Sequence, residues 1–399
     1  MRTPSTRRDL LRATAGVGLA GSLSGCLSRL RPEAERQVSL ARDESSSAAS
    51  PPRRKPSERW SVETGEKPSL VVDGDTVYVA TDDETRAVDT TDGSEQWAVD
   101  AGGGLSVVEG RVYVALGNVV AIEDGRIQWK TSISDRVRWL VERAGTVYVK
   151  TYYGLVGLHA DTGARQWKLN ERKQDVRLGY DTVPVADGES LAVVTHDELY
   201  RLTERTGINR LWNATPELTP TVALSDPDSV AESRPTDATV RGDSLFVSTW
   251  LREYDHETAG TGLVQRFSLA DGSETWRAPT PLPVSGVTLT ENSVYGSMWV
   301  PSGDPGGGVV AVDRESGERR WSRNVGHLLS YASVAGGVVV AGGTSPHDRS
   351  LDGGVYAFDA VTGETLWRVA GEGSIGGYPV GLVDDWVYFA DGDGVHALR

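Results

Sequence analysis

Cysteine is almost missing from this chain. Cys26 is the only one in 399 residues, so no intrachain disulfide can form and no Cys-x-x-Cys-His haem attachment exists. Lysine is scarce too, 6 of 41 basic residues against 56 acidic ones, and the formal net charge is -15. With no basic stripe there is little to neutralise phosphates, which excludes nucleic acid as a partner. The six histidines, at 159, 196, 256, 327, 347 and 396, have no close metal-ligand spacing, so a metal site would have to be assembled from distant segments. No long helical pattern occurs. The mildly apolar run Ala13–Ser22 is only 10 residues, too short to span a bilayer. What is present is 46 Gly and 12 Trp at an ordinary 38% apolar content, a composition of tight turns and one repeated large core residue.

The tryptophans set the repeat. Segments ending at Trp97, Trp129, Trp167, Trp276, Trp321 and Trp367 each read as an apolar strand, a turn closing on Gly, and a second strand carrying the Trp; the copy ending at Trp212 has one extra residue after Gly207. Before each lies a further hairpin, from Val71–Thr81 through Leu382–Ala390, eight in all. Six are split by an X-Gly corner, and Glu291-Asn292 and Asp384-Asp385 replace it in the other two. These are residues that tolerate positive φ.

Strand counting then predicts closure. The eighth unit stops at Arg399 with no terminal Trp strand, while Glu58–Val62 supplies a Trp60 strand with no repeat before it. The expected fold is all-β: an eight-bladed propeller of four-stranded antiparallel blades over 58–399, about 43 residues per blade, the last blade closed by the N-terminal strand. Seven or nine blades, a solenoid or a pair of sandwiches are the alternatives; closing the last blade from both termini pairs an edge that would otherwise be exposed. A ring of this kind is one domain, because no blade buries its sheet faces alone.

The run Ala357-Phe-Asp-Ala-Val-Thr-Gly-Glu-Thr-Leu-Trp367 resembles the repeat of the PQQ-like β-propeller family, as do Ala87–Trp97 and Ala311–Trp321. The resemblance implies that Trp60, Trp97, Trp129, Trp167, Trp212, Trp276, Trp321 and Trp367 dock neighbouring blades together with the turn glycines. It is weak for function, since similar relatives include quinone-dependent dehydrogenases and the outer-membrane assembly lipoprotein of bacteria. The dehydrogenases carry, in many members, adjacent cysteines and a calcium held by carboxylates. The cysteines are absent here, so PQQ with calcium is the alternative cofactor assignment and none is the preferred one.

At the N-terminus, Thr6-Arg7-Arg8-Asp9-Leu10-Leu11-Arg12 resembles a twin-arginine export signal, and Leu23-Ser24-Gly25-Cys26 resembles a lipobox. The pattern is similar to secreted lipoproteins of haloarchaea. Residues 1–25 are therefore expected to be a signal peptide, and 26–57 a lipidated Cys26 with a disordered tether to a ring on the outer face of the cytoplasmic membrane. A short helix over Pro32–Arg42 is a further expectation. Losing residues 1–25, with four Arg and one Asp, leaves -18. Such an acidic, Lys-poor surface suits a salt-rich medium, where screening relieves self-repulsion, although an ordinary acidic surface reads the same way.

Catalytic signals are thin, and no catalytic or metal-ligating residue is assigned. A binding site is expected at the mouth of the central channel, where first strands begin: Arg138, Trp139, Tyr180, Asp181, Asp237, His327, Tyr331 and Tyr378. Aromatics with carboxylates suit a sugar, a peptide or a cationic group, and the expected partner is a protein, peptide or polar small-molecule ligand; the alternative is that these residues only fill and hydrate the axis. Trp212–Asp243, Leu251–Gly262, Pro301–Gly307 and Ser345–Gly353 read as irregular excursions on one rim. The expected protein is a monomeric, non-catalytic binding or assembly platform, with a quinone-dependent oxidoreductase as the alternative.

Overall fold

The computed structural model describes residues 51–64, 68–133, 136–152, 154–169, 183–186, 190–194, 199–203, 209–214, 231–253, 261–300, 306–326, 328–344, 354–370, 380–391 and 394–399. The region expected to form a helix at 32–42 lies outside them.

All regular structure among the described residues is strand. β1 (Glu58–Glu63) comes first. It is followed by β2–β5 (Ser69–Asp73, Thr76–Ala80, Thr85–Asp89, Glu95–Val99) and β6–β9 (Gly104–Val108, Arg111–Ala115, Asn118–Glu123, Arg126–Ser132). Next are β10–β13 (Val137–Arg143, Thr146–Thr151, Leu155–His159, Arg165–Lys168) and β14–β17 (Val183–Ala186, Ser190–Val194, Leu199–Thr203, Asn209–Ala214). β18–β21 (Ala231–Arg241, Ser244–Glu253, Thr261–Ser268, Glu274–Thr280) and β22–β25 (Val284–Leu289, Ser293–Trp299, Gly307–Asp313, Arg319–Asn324) continue the series. β26–β29 (Leu328–Ala335, Val338–Thr344, Gly354–Asp359, Thr365–Ala370) and β30–β32 (Gly381–Val383, Trp386–Ala390, Gly394–Leu398) end it.

These strands form eight four-stranded antiparallel sheets, the last ordered β1-β32-β31-β30. The fold is a β-propeller. Its core lies between sheets rather than at one centre. Tyr78, Ala87 and Leu105 join the first sheet to the second, and Phe246, Val264 and Val287 join the fifth to the sixth. Trp60, Leu70, Val77, Tyr388 and Ala397 form one cluster across the last sheet and the first. β1 and the strands β31 and β32, more than 300 residues apart in sequence, are thus neighbours in the core.

Register explains the repeat residue by residue. Tyr78 pairs with Ala87, and Ala87 with Trp97, so a methyl group lies between two rings whose centroids are 5.9 Å apart. The row recurs as Tyr113–Ala121–Trp129, Tyr295–Ala311–Trp321 and Tyr388–Ala397–Trp60. Offset and tilted aromatic pairs of this kind add to plain area burial. The repeat aspartate shapes the turn that follows: Asp359 Oδ1 accepts from the amides of Val361 and Thr362 at 3.0 and 2.9 Å.

The turn glycine serves two ends. Gly93 has φ +70°, which a side chain rarely adopts, and a Cβ there would lie 2.8 Å from the Trp60 ring of the preceding sheet. Trp97 meets Gly125, Trp129 meets Gly163, Trp276 meets Gly317 and Trp321 meets Gly363 in the same way. The indole N–H then donates across the junction: Trp129 to Ala160 at 2.8 Å, Trp276 to Arg314 at 3.0 Å, Trp321 to Ala360 at 2.9 Å. For Trp212 the backbone pairs with Arg201; its side chain is outside the described residues, as are residues 204–208.

Two expectations are corrected. Residues 51–57 are not part of an unpacked tether: Pro51 and Pro56 are buried, and the Pro52 carbonyl accepts from the Trp367 indole at 2.6 Å. Arg53 pairs with Asp359. The reason is topological. β32 and β1 come from opposite termini, so the last sheet has no turn to meet Trp367, and 51–57 occupies that place. The second correction concerns Trp212–Asp243 and Leu251–Gly262, whose parts Ala231–Arg241 and Leu251–Glu253 are not irregular but belong to the long hairpin β18–β19.

Candidate functional site

Antiparallel order puts the starts of first strands and the ends of second strands on one edge of the ring. At that edge four first strands carry bulges: at Arg138 in β10, Thr236 in β18, Ser285 in β22, and between Leu329 and Ala332 in β26. A bulge leaves a residue out of the ladder and re-aims its side chain.

Arg138 places its guanidinium 4.3 Å from the centroid of the Tyr152 ring, which lies just past the end of β11. The pattern returns two sheets on. Arg234 pairs across the strands with Trp250 and holds its guanidinium 5.9 Å from the indole, within the range of a cation–π contact. Trp250 in turn meets Trp299, the last residue of β23, at 5.2 Å and 66°. All three aromatics are half-buried. Beside Tyr152, Lys150 is only 3% exposed and donates to the Thr151 and Tyr152 carbonyls at 2.6 and 3.4 Å.

The other residues expected at the mouth are placed differently. Trp139 is buried in the core cluster with Tyr148, Leu155 and Val185. Asp237 is fully buried, and its Oδ2 accepts the Val287 amide at 3.0 Å, a strut between first strands of adjacent sheets. Such struts recur, with Thr288 donating to the Ala332 carbonyl at 2.5 Å and Ser333 to that of Val380. Tyr331 is buried with its ring against Gly286 of the preceding sheet, where a Cβ would collide with it. Tyr180, Asp181, His327 and Tyr378 lie outside the described residues, as do Cys26, Arg7 and Arg8.

Sequence reasoning missed Tyr152, Arg234, Trp250 and Trp299. A signal existed. Each aromatic stands four positions after the core aromatic of its second strand, Tyr148, Phe246 or Tyr295, where the first two sheets have Asp82 and Gly117. Chemically, the edge offers aromatic faces and guanidinium groups, which suit stacking and hydrogen bonding, while the bulged Thr236 and Ser285 donate their hydroxyls to the Val284 and Ser297 carbonyls. Among the described residues no three His, Cys, Asp or Glu side chains are grouped to hold a metal ion.

No curated protein matches the sequence. Among solved structures, BamB from Moraxella catarrhalis is similar at 18% identity and a TM-score of 0.60, covering 86% of this chain and 97% of that one. Quinohemoprotein alcohol dehydrogenase from Comamonas testosteroni is similar at 14% identity and 0.59, covering 92% and 80%. Sqt1 of Saccharomyces cerevisiae is similar at 10% identity and 0.64, covering 86% and 98%. At such identities the likeness shows the fold alone. Sequence goes further, because one family model matches residues 82–249 and 230–399, and the chain belongs to that family, described as outer membrane protein assembly factor BamB.

Proposed function

We propose that this chain is an exported, lipid-anchored propeller whose eight sheets close one monomeric ring, and that it serves as a non-catalytic binding or assembly platform outside the cytoplasm. The observation that carries the reading is the edge formed by Arg138 on Tyr152 and by Arg234 on Trp250 beside Trp299. Paired rings and guanidiniums give contact area and directional donors to a protein, peptide or polar small molecule. The family description, an outer-membrane assembly factor, agrees with such a role outside the cytoplasm. Export and anchoring rest on Arg7-Arg8 and Cys26, with lipid on Cys26 as the contact with the membrane.

A photo-crosslinker placed at Trp250 should capture one defined species in intact cells, and the same group at exposed Ile127 on an outer strand should not. Equal capture from both positions would remove the assignment. Cys26→Ser should leave the membrane fraction; retention there would refute the anchor.

The second reading, a quinone-dependent oxidoreductase, is favoured by the likeness to quinohemoprotein alcohol dehydrogenase. Against it stands the sequence, which lacks the adjacent cysteines that many such dehydrogenases carry. Saturable binding of the quinone with calcium, accompanied by dye reduction, would reverse this preference.

A further inference from the structure

The strand pair β1–β32 is the one whose strands are not consecutive in sequence, so no short turn holds them together; the backbone ladder and the side chains beside it do so alone. At its centre is a histidine that the proposed binding role does not use. His396, on β32, has Nδ1 3.0 Å from Glu58 Oε2 on β1 and Nε2 3.0 Å from Asp391 Oδ1 just past β31. A neutral imidazole has one donor and one acceptor nitrogen, and an acceptor nitrogen facing a carboxylate oxygen is repelled. Only the imidazolium donates to both.

The surroundings fit that charge state. Asp391 is 1% exposed, and a buried carboxylate is costly unless paired; besides His396 it accepts the Gly394 amide at 3.2 Å. Phe389 stacks on the imidazole at 4.9 Å and 15°, which fixes the plane of the ring. Among the described residues, Glu58 and Asp391 are the charged groups that act on it, and β31 contributes the uncharged Phe389.

We infer that protonated His396 is an ionic latch on the closing strand pair, so that closure of the ring depends on pH and weakens once the imidazole loses its proton. Burial alone would lower the affinity of His396 for its proton. Asp391 and then Glu58 outweigh it and hold the group above its ordinary value. A group raised in the folded state contributes stability that is fully present below about pH 6.5 and is lost as pH rises through the raised value. The latch is therefore closed in mildly acid solution and opens as pH rises through that raised value.

Hydrogen exchange tests this on the full chain. Between pH 6 and 9, after correction for base catalysis, the amides of β1 should lose protection relative to those of β5, by about tenfold for each unit by which His396 is raised. In His396→Gln the β1 amides should exchange faster already at pH 6, with no further step. A wild-type β1 that keeps its protection to pH 9, or a His396→Gln protein with the wild-type step, overturns the latch. Should His396→Gln fail to fold, Glu58→Gln carries the same test, since Glu58 is largely exposed and its loss should shrink the step. The ¹⁵N shifts of the His396 ring give an independent reading: a midpoint above 6.5 is expected, and one below it overturns the proposal.

Discussion

Tyr388 donates its hydroxyl to the carbonyl of Thr90, 298 positions earlier in the chain, at 3.0 Å. The Trp60 indole donates to the same carbonyl at 3.0 Å, and the two rings are 5.8 Å apart. Tyr295 and Trp321 converge in the same way on the Ala360 carbonyl, at 3.1 and 2.9 Å. The last junction of the ring is therefore built like an ordinary one, although its parts come from both ends of the chain.

Trp60→Ala should accordingly destabilise the protein by about 3–5 kcal/mol, the range for removing a buried aromatic from a packed core. Trp129→Ala, which removes the same indole-to-carbonyl bond at an internal junction, should cost less, because Trp129 is half-buried and its strand is tied by a turn. Denaturant melts of the two variants make the comparison. A truncation starting at residue 66, lacking β1, should not melt like the parent.

The turn glycine separates strain from packing. Gly74 has φ +57° with open space where a Cβ would lie, whereas Gly93 has φ +70° with Trp60 in the way. Gly74→Ala should cost only the positive-φ penalty, about 1–2 kcal/mol. Gly93→Ala should add a further ~1–3 kcal/mol of overpacking against the indole. Equal losses would mean that the glycine is there for its backbone alone.

Much of this architecture was legible because a Trp and a Gly at fixed spacing leave a mark that survives divergence elsewhere in each unit. The Ala between Tyr78 and Trp97 was not legible in the same way. Its role depends on which residues face each other across two strand pairs, and that register is set by the turns. Trp250 and Trp299 escaped for a related reason: their partners Arg234 and Trp250 lie across a strand or a sheet boundary rather than nearby in sequence. Asp237 and Tyr331 were rightly singled out as first-strand residues, but polarity alone does not say whether a group faces the axis or struts the next sheet. The segment 51–57 was misread because Pro, Arg and Lys look unpacked by composition. Its docking partner, Trp367, is 315 positions away.

That segment gives the last prediction. Asp359 is held near pKa 2, first by its pairing with the Arg53 guanidinium and then by the Thr362 amide. A carboxyl depressed in the folded state contributes stability that is present above its unfolded value, about 3.9, and is lost as pH falls through the folded one. Stability at the junction of residues 51–57 with β26–β29 should thus fall between about pH 4 and pH 2 in the parent protein. In Arg53→Ala the turn amides still hold Asp359, so its depression should shrink rather than vanish, and the acid-dependent loss should become smaller. Because the pair is solvent-exposed, 0.5 M salt should mimic part of the substitution in the parent and do little in the variant. Acid titrations of the melting temperature at low and high salt check both statements. A variant whose acid profile and salt response match the parent's would show that Arg53 rests on Asp359 without contributing, leaving the Pro52 carbonyl and the buried Pro51 and Pro56 to hold the segment against Trp367.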